Sequence, residues 1–523
     1  GSWSPSNPNG TATAADNIVI ASGTATIDTN TTANLLTVNP GAALTVDTGI
    51  ILTITNDLVL ESISTSYSSL ILDGTIAGTV TYNRYVNSNN SVNGNDLISA
   101  PLSGQAFNTF IANNPNIRAN PSGPEVLFGG FDNDSSTNPF ELWNDTDTTP
   151  LTAGIGYRSG ITEGEASNLV TFEGTVSTGL VQTAINQGTV SKLNLIGNPF
   201  PSYLDAQQFL SHNASLLDPS ALVIYGYNDS TDGTSAGDYT IISTLLNTSM
   251  NIAPGQGFFV ASGATGGNIE FTTTSSDMRL AAGGDDFIAG RDSSVISNLK
   301  LNLSNANANF ITDIFFTESS TLGLDPGYDA SLLGGTAPSF ALYSELIEDN
   351  TGIPFAVQAL GKTDYLDVTI PLGVNANQGE QITFSISETN LPSTVDVYLD
   401  DTVENTSTLL NTSDYVMTPI ANLSGVGRFY LRFSESTLST SNHSLDNISI
   451  YTNANDKTAI IAGQLLENTT AYIYDIQGRV VSTTILDSTS RLQSLDTSHL
   501  TVGIYVIQLT NGTQNKTQKV IIR

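Results

Sequence analysis

The sequence predicts an all-β, multidomain protein in which helices are short and few. Brief runs of Val, Ile, Leu, Thr, Tyr and Phe recur along the chain, separated by Gly, Pro, Asn and Asp turn residues. Hydrophobic residues make up 39% and charged residues only 12%, so there is apolar material for cores while Asn, Thr, Ser and Gly must cover the surface. A length of 523 residues calls for several such cores rather than one.

Charge and residue usage narrow the function classes. Lys and Arg total 16 against 49 Asp and Glu, a net charge of −33, which repels nucleic acid and anionic membranes and attracts divalent cations. Without cysteine there is no disulfide, no thiol catalysis and no cysteine-ligated metal. No apolar run reaches the roughly 18 residues of a transmembrane helix. No leader-like segment opens the sequence, and Gly1-Ser2 reads as a processed start.

Residues 1–82 hold short strands such as Ile18–Ile20, Ala25–Ile27, Leu35–Val38, Ala43–Val46, Ile51–Ile54, Leu58–Leu60 and Leu70–Leu72. Val38, Val46 and Ile54 recur at an eight-residue step, which predicts a small β-solenoid or a tight meander. A few coils suit a stalk or cap better than the long groove of a polysaccharide lyase.

Residues 83–280 read as a duplicated β-rich domain with halves at about 83–180 and 181–280. Pro101 answers Pro199, Val126 answers Val223, Gly154 answers Gly255 and Phe172 answers Phe271, all at an offset of about 98 residues. Each half holds one short helix, at Phe107–Ile111 and at Gln207–Leu210; a capping box spanning Ser202 to Asp205 starts the second. Residues 281–440 predict a β-sandwich with strands at Leu299–Leu303, Phe310–Phe316, Phe340–Tyr343, Asp367–Ile370, Gln381–Ile386, Val395–Leu399 and Gly427–Phe433. Ala281–Asp286 and Ser434–Asn442 read as linkers.

Residues 445–523 predict an immunoglobulin-like sandwich. Thr469–Tyr474 and Arg479–Ile485 flank the tight turn Asp475-Ile476-Gln477-Gly478, and Gly503–Leu509 pairs with Gln518–Ile522 across Asn511-Gly512. Tyr474, Asp475, Gly478, Arg479, Val480 and Val481, then Leu500, Gly503, Ile504, Tyr505 and Val506, then Lys516, Lys519 and Arg523 together resemble the type A C-terminal sorting domain of Bacteroidetes type IX secretion cargo. That family usually opens on Tyr-Pro-Asn-Pro, where this chain has Tyr451-Thr452-Asn453-Ala454. The resemblance implies handling by the type IX machinery and a secreted or outer-membrane-surface protein. Ile196–Pro201 and Ala253–Phe259 resemble segments of secreted Bacteroidetes β-proteins of unassigned activity.

Nothing in the sequence marks a catalytic centre. Of three histidines only His212 falls in the body of the cargo. Gly233-Thr234-Ser235-Ala236-Gly237 matches a nucleophile elbow, but a strand rather than a helix should follow it, so a loop tip is expected. Hard oxygen ligands cluster at Asp132 and Asp134 and at Asp229 and Asp232, matching places in the two halves, where calcium is the metal that would fit; turn chemistry accounts for the same residues. Asp325, Asp329, Asp400 and Asp401 are further candidates. The expectation is a non-catalytic adhesin or structural binding protein, with polysaccharide or other surface proteins as partners. The alternative is a carbohydrate-active enzyme using an Asp/Glu pair.

Overall fold

The computed structural model describes residues 4, 6–87, 94–162, 167–229, 238–244, 250–273, 277–282, 297–435, 445, 448–453, 457–465, 468–512 and 514–522. The chain forms two compact units, Gly1–Ser293 and Ser294–Arg523, each containing two of the four expected segments.

The first unit begins with strands β1 (Asn17–Ile20), β2 (Gly23–Ile27), β3 (Thr31–Val38), β4 (Ala42–Val46), β5 (Ile51–Ile63), β6 (Ser66–Tyr67), β7 (Ser69–Leu72) and β8 (Thr75–Tyr85). β1, β3, β5 and β8 pair in parallel in one sheet, and β2, β4 and β7 in parallel in another. Parallel pairing makes this a solenoid and not a meander. Ile20, Val38, Leu60 and Tyr82 stand side by side across the first sheet, while Ile27, Val46 and Leu72 do so across the second. The eight-residue step from Val38 to Val46 therefore crosses between sheets and is only part of a coil. Leu36, Val38, Leu44, Val46, Leu52, Leu58 and Leu60 are fully buried between the sheets, each contributing about 1.5–3 kcal/mol.

The solenoid does not stop at residue 82. β8 runs through that position, and a strand from the next segment, β12, lies antiparallel on it. The elements of that segment are β9 (Asp96–Ser99), α1 (Phe107–Asn113), β10 (Phe128–Gly129), β11 (Gly156–Ser159) and β12 (Leu169–Gly174). They are followed by β13 (Val181–Ile185), β14 (Leu193–Gly197), β15 (Tyr203–Asp205), α2 (Ala206–Asn213), β16 (Ile224–Asn228), β17 (Asp238–Ile242), β18 (Asn251–Ile252), β19 (Gly257–Ala261), β20 (Gly267–Phe271) and β21 (Arg279–Leu280). β9 pairs with β11 as β14 pairs with β19, and β8 pairs with β12 as β13 pairs with β20. The last solenoid strand thus occupies, in the first half, the place that β13 occupies in the second.

The helices dock by one device. Asn114 Nδ2 donates to Phe110 O (2.8 Å) and Thr171 O (2.9 Å), while its Oδ1 accepts from Thr171 N (2.7 Å). Asn213 Nδ2 donates to Phe209 O (3.0 Å) and Glu270 O (3.0 Å), and its Oδ1 accepts from Glu270 N (2.9 Å). Phe110 then stacks on Phe172 and Phe209 on Phe271, with ring centroids 5.0 and 5.3 Å apart. The cap of α2 differs from the expected box. Asp205 itself is the N-cap, accepting from Gln207 N and Gln208 N, because Tyr203–Asp205 is committed to strand β15.

In the second unit, β22 (Ser297–Ser304), β23 (Asn309–Thr317), β24 (Ala330–Ser331), β25 (Ala341–Ser344), β26 (Phe355–Gly361), β27 (Asp367–Asn375), β28 (Ile382–Thr389), β29 (Val395–Asp401), β30 (Thr406–Leu409), β31 (Tyr415–Met417) and β32 (Phe429–Glu435) share one hydrogen-bonded sheet. The two sheets of the expected sandwich are one sheet folded over a common core. Phe384 of β28 meets Phe429 of β32 at 5.0 Å, and Phe316 of β23 meets Phe433 at 5.2 Å. The linker residues 436–442 and 283–286 lie outside the described residues.

The tail is a sandwich of β33 (Ser449–Asn453), β34 (Thr458–Ala462) and β37 (Leu492–Asp496) against β36 (Val480–Leu486), β35 (Thr469–Tyr474), β38 (Gly503–Thr510) and β39 (Asn515–Ile522). Ile450, Ile461, Ile473, Leu495, Ile507, Leu509, Val520 and Ile522 fill it. It is packed on the folded sheet rather than detached. Tyr451 Oη donates to Asp400 Oδ2 (3.0 Å), its ring lies 4.6 Å from that of Tyr430, and Asn453 Nδ2 donates to Gly427 O (2.5 Å). Asp400 is fully buried and also takes a two-pronged bond from Arg432 (2.8 and 3.1 Å).

Candidate functional site

The two glycine hairpins bring the duplicated halves together. A Cβ on Gly156 would lie 2.5 Å from Ile196 O, and one on Gly257 would lie 2.8 Å from Ile98 N and O, so only glycine lets the backbones approach this closely. Across the contact Ile155 bridges to Ile196, and Ile98 to Gln256. The residues two places beyond these glycines, Arg158 and Phe259, come from equivalent strands and meet in one aromatic cluster.

Phe259 is buried, with its ring 4.8 Å from Phe131, 6.1 Å from Phe140 and 6.0 Å from Tyr239. Tyr239 lies 5.3 Å from Tyr227, and the Arg158 guanidinium sits 4.5 Å over the Phe140 ring. Arg158, Phe131, Phe140, Tyr227 and Tyr239 are each partly buried, so the cluster meets solvent along part of its surface. Arg158 Nε is buried with no hydrogen-bond partner, and no carboxylate among the described residues pairs with the group. Burial lowers the Arg158 pKa, opposed by the Tyr239 and Tyr227 hydroxyls, and burial pushes Tyr239 up to about 12. The acid on this hairpin, Asp229, accepts instead from Asn95 N (3.1 Å) and Tyr227 Oη (3.2 Å).

The sequence did not single out this cluster. Its signal was present: aligning the two glycine hairpins sets Arg158 against Phe259, a cation where the other copy has a ring. The carboxylates proposed for metal are used differently. Asp132 Oδ1 accepts from Asp134 N (2.9 Å), Asp134 Oδ1 accepts from Thr189 N (2.6 Å), and Asp229 is bonded as above. Asp232 and the Gly233–Gly237 elbow motif lie outside the described residues, and among those residues no three His, Asp or Glu side chains come together as a metal site. In the second unit Asp400 and Asp401 are held by Arg432 and Arg428, and Asp329 accepts from Ala359 N (2.7 Å) and Asp325 N (2.7 Å). His212 pairs with Glu270 on the surface at 2.9 Å.

The sorting-tail residues have clear local roles. Asp475 Oδ1 accepts from Gln477 N (2.9 Å) and Arg479 N (3.0 Å), its Oδ2 takes the Arg479 guanidinium (2.8 Å), and Gly478 supplies φ +78°. Tyr474 Oη donates to Gln508 Oε1 (2.9 Å). Gly503 opens β38, where Tyr505 is buried with its hydroxyl on Thr501 O (2.9 Å). Lys519 stands exposed on β39 opposite Val506. Among the described residues no helix is long and apolar enough to cross a membrane.

Two family models match the chain. One, described as "Domain of unknown function (DUF8693)", covers residues 1–433, from the solenoid through the folded sheet; the other, described as "Secretion system C-terminal sorting domain", covers residues 449–523. No curated protein matches the chain. The chain thus belongs to the DUF8693 family and is a type IX secretion cargo, sent by its sorting domain to a secreted or cell-surface location.

Proposed function

We propose that this cargo is a non-catalytic binding protein, working outside the cell as an adhesin or a structural component. The observation that carries the reading is the half-exposed aromatic cluster around Arg158. Ring faces and a guanidinium recognise ligands by stacking and by directional hydrogen bonds. The ionisable groups gathered there are an arginine, two phenols and a single carboxylate, Asp229, already bonded to Tyr227 and Asn95, a set that suits recognition better than paired acid–base chemistry. The surface of the solenoid adds amide and hydroxyl networks of the same kind, such as Asn83 to Glu61 (3.1 Å) and Thr171 to Asn83 (2.9 Å).

The enzyme alternative has one observation in its favour. Asp57 on β5, opposite Thr79, and Glu173 on β12, opposite Thr81, flank β8 on the outer face of the solenoid sheet, two strand spacings across and two residues along, about 12 Å between Cα atoms. Burial raises the Asp57 pKa, a Thr81 hydrogen bond lowers it and the Glu173 charge raises it further. The open cleft of about 200 Å³ nearby, lined by Leu72, Gly74, Ile76, Val80, Gly174 and Val176 among others, has no acid or base in its lining. Incubating the purified chain with a panel of polysaccharides, scoring both retention and new reducing ends, separates the readings. Retention without release supports binding. Release that Asp57→Asn abolishes overturns it.

A further inference from the structure

We infer that the Arg158 cluster is a saccharide subsite that takes a sugar carrying a single oxyanion, a carboxylate or a sulfate, on an otherwise neutral glycan. The inference rests on the binding reading above and names its ligand.

Arg158 is set apart by comparison with the other arginines. Arg84, Arg279, Arg428, Arg432 and Arg479 each pair with a carboxylate. Arg118 donates to Gly94 O and Ile161 O, and Arg491 to Gln464 Oε1. Arg158 alone among the described arginines has neither kind of acceptor, in a chain with 49 acids from which to supply one. A partly desolvated guanidinium without an acceptor is costly. Its planar fork matches an oxyanion with two parallel hydrogen bonds, and removing both from water strengthens them.

The surroundings say what the oxyanion is attached to. Phe131, Phe140, Tyr227 and Tyr239 are partly exposed rings beside the guanidinium, apolar surface against which the C–H face of a pyranose can pack. At the margin Asn95 Nδ2 donates to the Tyr227 hydroxyl (3.4 Å), which donates to Asp229, a polar edge whose carboxylate can accept from a ring hydroxyl. A small free anion would gain nothing from the rings. A densely charged polyanion would meet the −33 charge of the chain. One guanidinium set in aromatic rings on an acidic protein selects an isolated charge carried by a sugar.

The test is calorimetric titration of the full chain with four matched oligosaccharides: one bearing a single glucuronic acid, its methyl ester, its neutral glucose counterpart, and the same glucose counterpart with one sulfate ester. A glutamate-containing peptide is the fifth probe. The expected result is that the uronate or the sulfate ester binds at least tenfold more tightly than the methyl ester and the neutral sugar. Whichever of the two binds identifies the oxyanion. Arg158→Gln should erase that preference while leaving the circular dichroism spectrum unchanged, and Arg158→Lys should keep only part of it. The ester comparison uses the unmodified protein, so it decides even if a variant fails to fold. Equal binding of charged and neutral sugars overturns the inference but leaves the binding reading standing. Peptide binding as tight as that of the sugar overturns the saccharide assignment. Binding of none of the probes overturns the inference, and the polysaccharide retention assay then decides the wider reading on its own.

Discussion

Replacing Asn114 or Asn213 with alanine tests whether the two halves of the duplicated domain are held by one physical device. Each amide joins the end of its helix to the neighbouring strand, α1 to β12 and α2 to β20, by three bonds of 2.7–3.0 Å. Both side chains are buried. Truncation leaves a strand N–H and a strand C=O without their Asn partners in each half. An unsatisfied buried backbone group costs about 1–3 kcal/mol, so two of them put each substitution at about 3 kcal/mol. The two sites share no partner, so the double variant should lose about 6 kcal/mol. Urea unfolding of the full chain, followed by far-ultraviolet circular dichroism and by Trp143 fluorescence, measures this. Trp143 packs against Phe107 at 5.0 Å and reports on the first half. A loss below about 1 kcal/mol at either site, or a loss at one site only, refutes the equivalence of the halves.

Four further outcomes are expected. Tyr451→Phe removes one hydrogen bond to the buried Asp400, which Arg432 and Ser407 still hold; at about 1.5 kcal/mol this should speed hydrogen exchange in Ser449–Asn453 roughly tenfold without touching the solenoid, and unchanged exchange would contradict the docking. Burial raises Asp329 to about 7, so its contribution to stability is present below pH 4 and is lost as pH rises through 7, a drop of about 4 kcal/mol that Asp329→Asn should flatten; a wild-type profile parallel to that of the variant would exclude it. Gln358→Leu should stabilise the second unit by about 1–2 kcal/mol, because both polar atoms of this fully buried side chain lack partners; a lower unfolding midpoint would show the amide is satisfied. Deleting residues 514–523 removes β39 from the four-stranded sheet and should leave the protein in the periplasm; normal export of that variant would contradict the sorting role.

What was legible in the sequence was local chemistry. The Asp475–Gly478 turn and its flanking strands could be read because an Asx turn, a positive-φ glycine and period-two alternation are properties of a few adjacent residues. The solenoid was legible as a rhythm, but its true repeat was hidden because successive strands belong to opposite sheets. The strand order of the folded sheet in the second unit was not legible because it is set by distant pairs, such as β23 lying parallel to β26 and β27 lying between β25 and β32. Strand β26 was missed altogether: Phe355–Gly361 is buried on both faces and shows no alternation. The docking of the tail through Tyr451 was equally invisible, since a tyrosine in a strand carries no mark of a carboxylate 51 positions away.

The Arg158 cluster was missed for a related reason, and the reason bears on what it does. In isolation Gly156–Ser159 reads as an ordinary strand, and the absence of an acceptor is a fact about space. The duplication supplies the control that a single fold lacks. At the equivalent place on β19 the other copy has Phe259, which packs against Phe131 and Phe140 and completes the cluster by itself. The hairpin therefore does not need a cation to fold. A guanidinium that the twin strand dispenses with, held half out of water, gains the Phe140 face but no acceptor for its buried Nε. A charged donor without an internal acceptor is the physical signature of a group kept for something outside the chain.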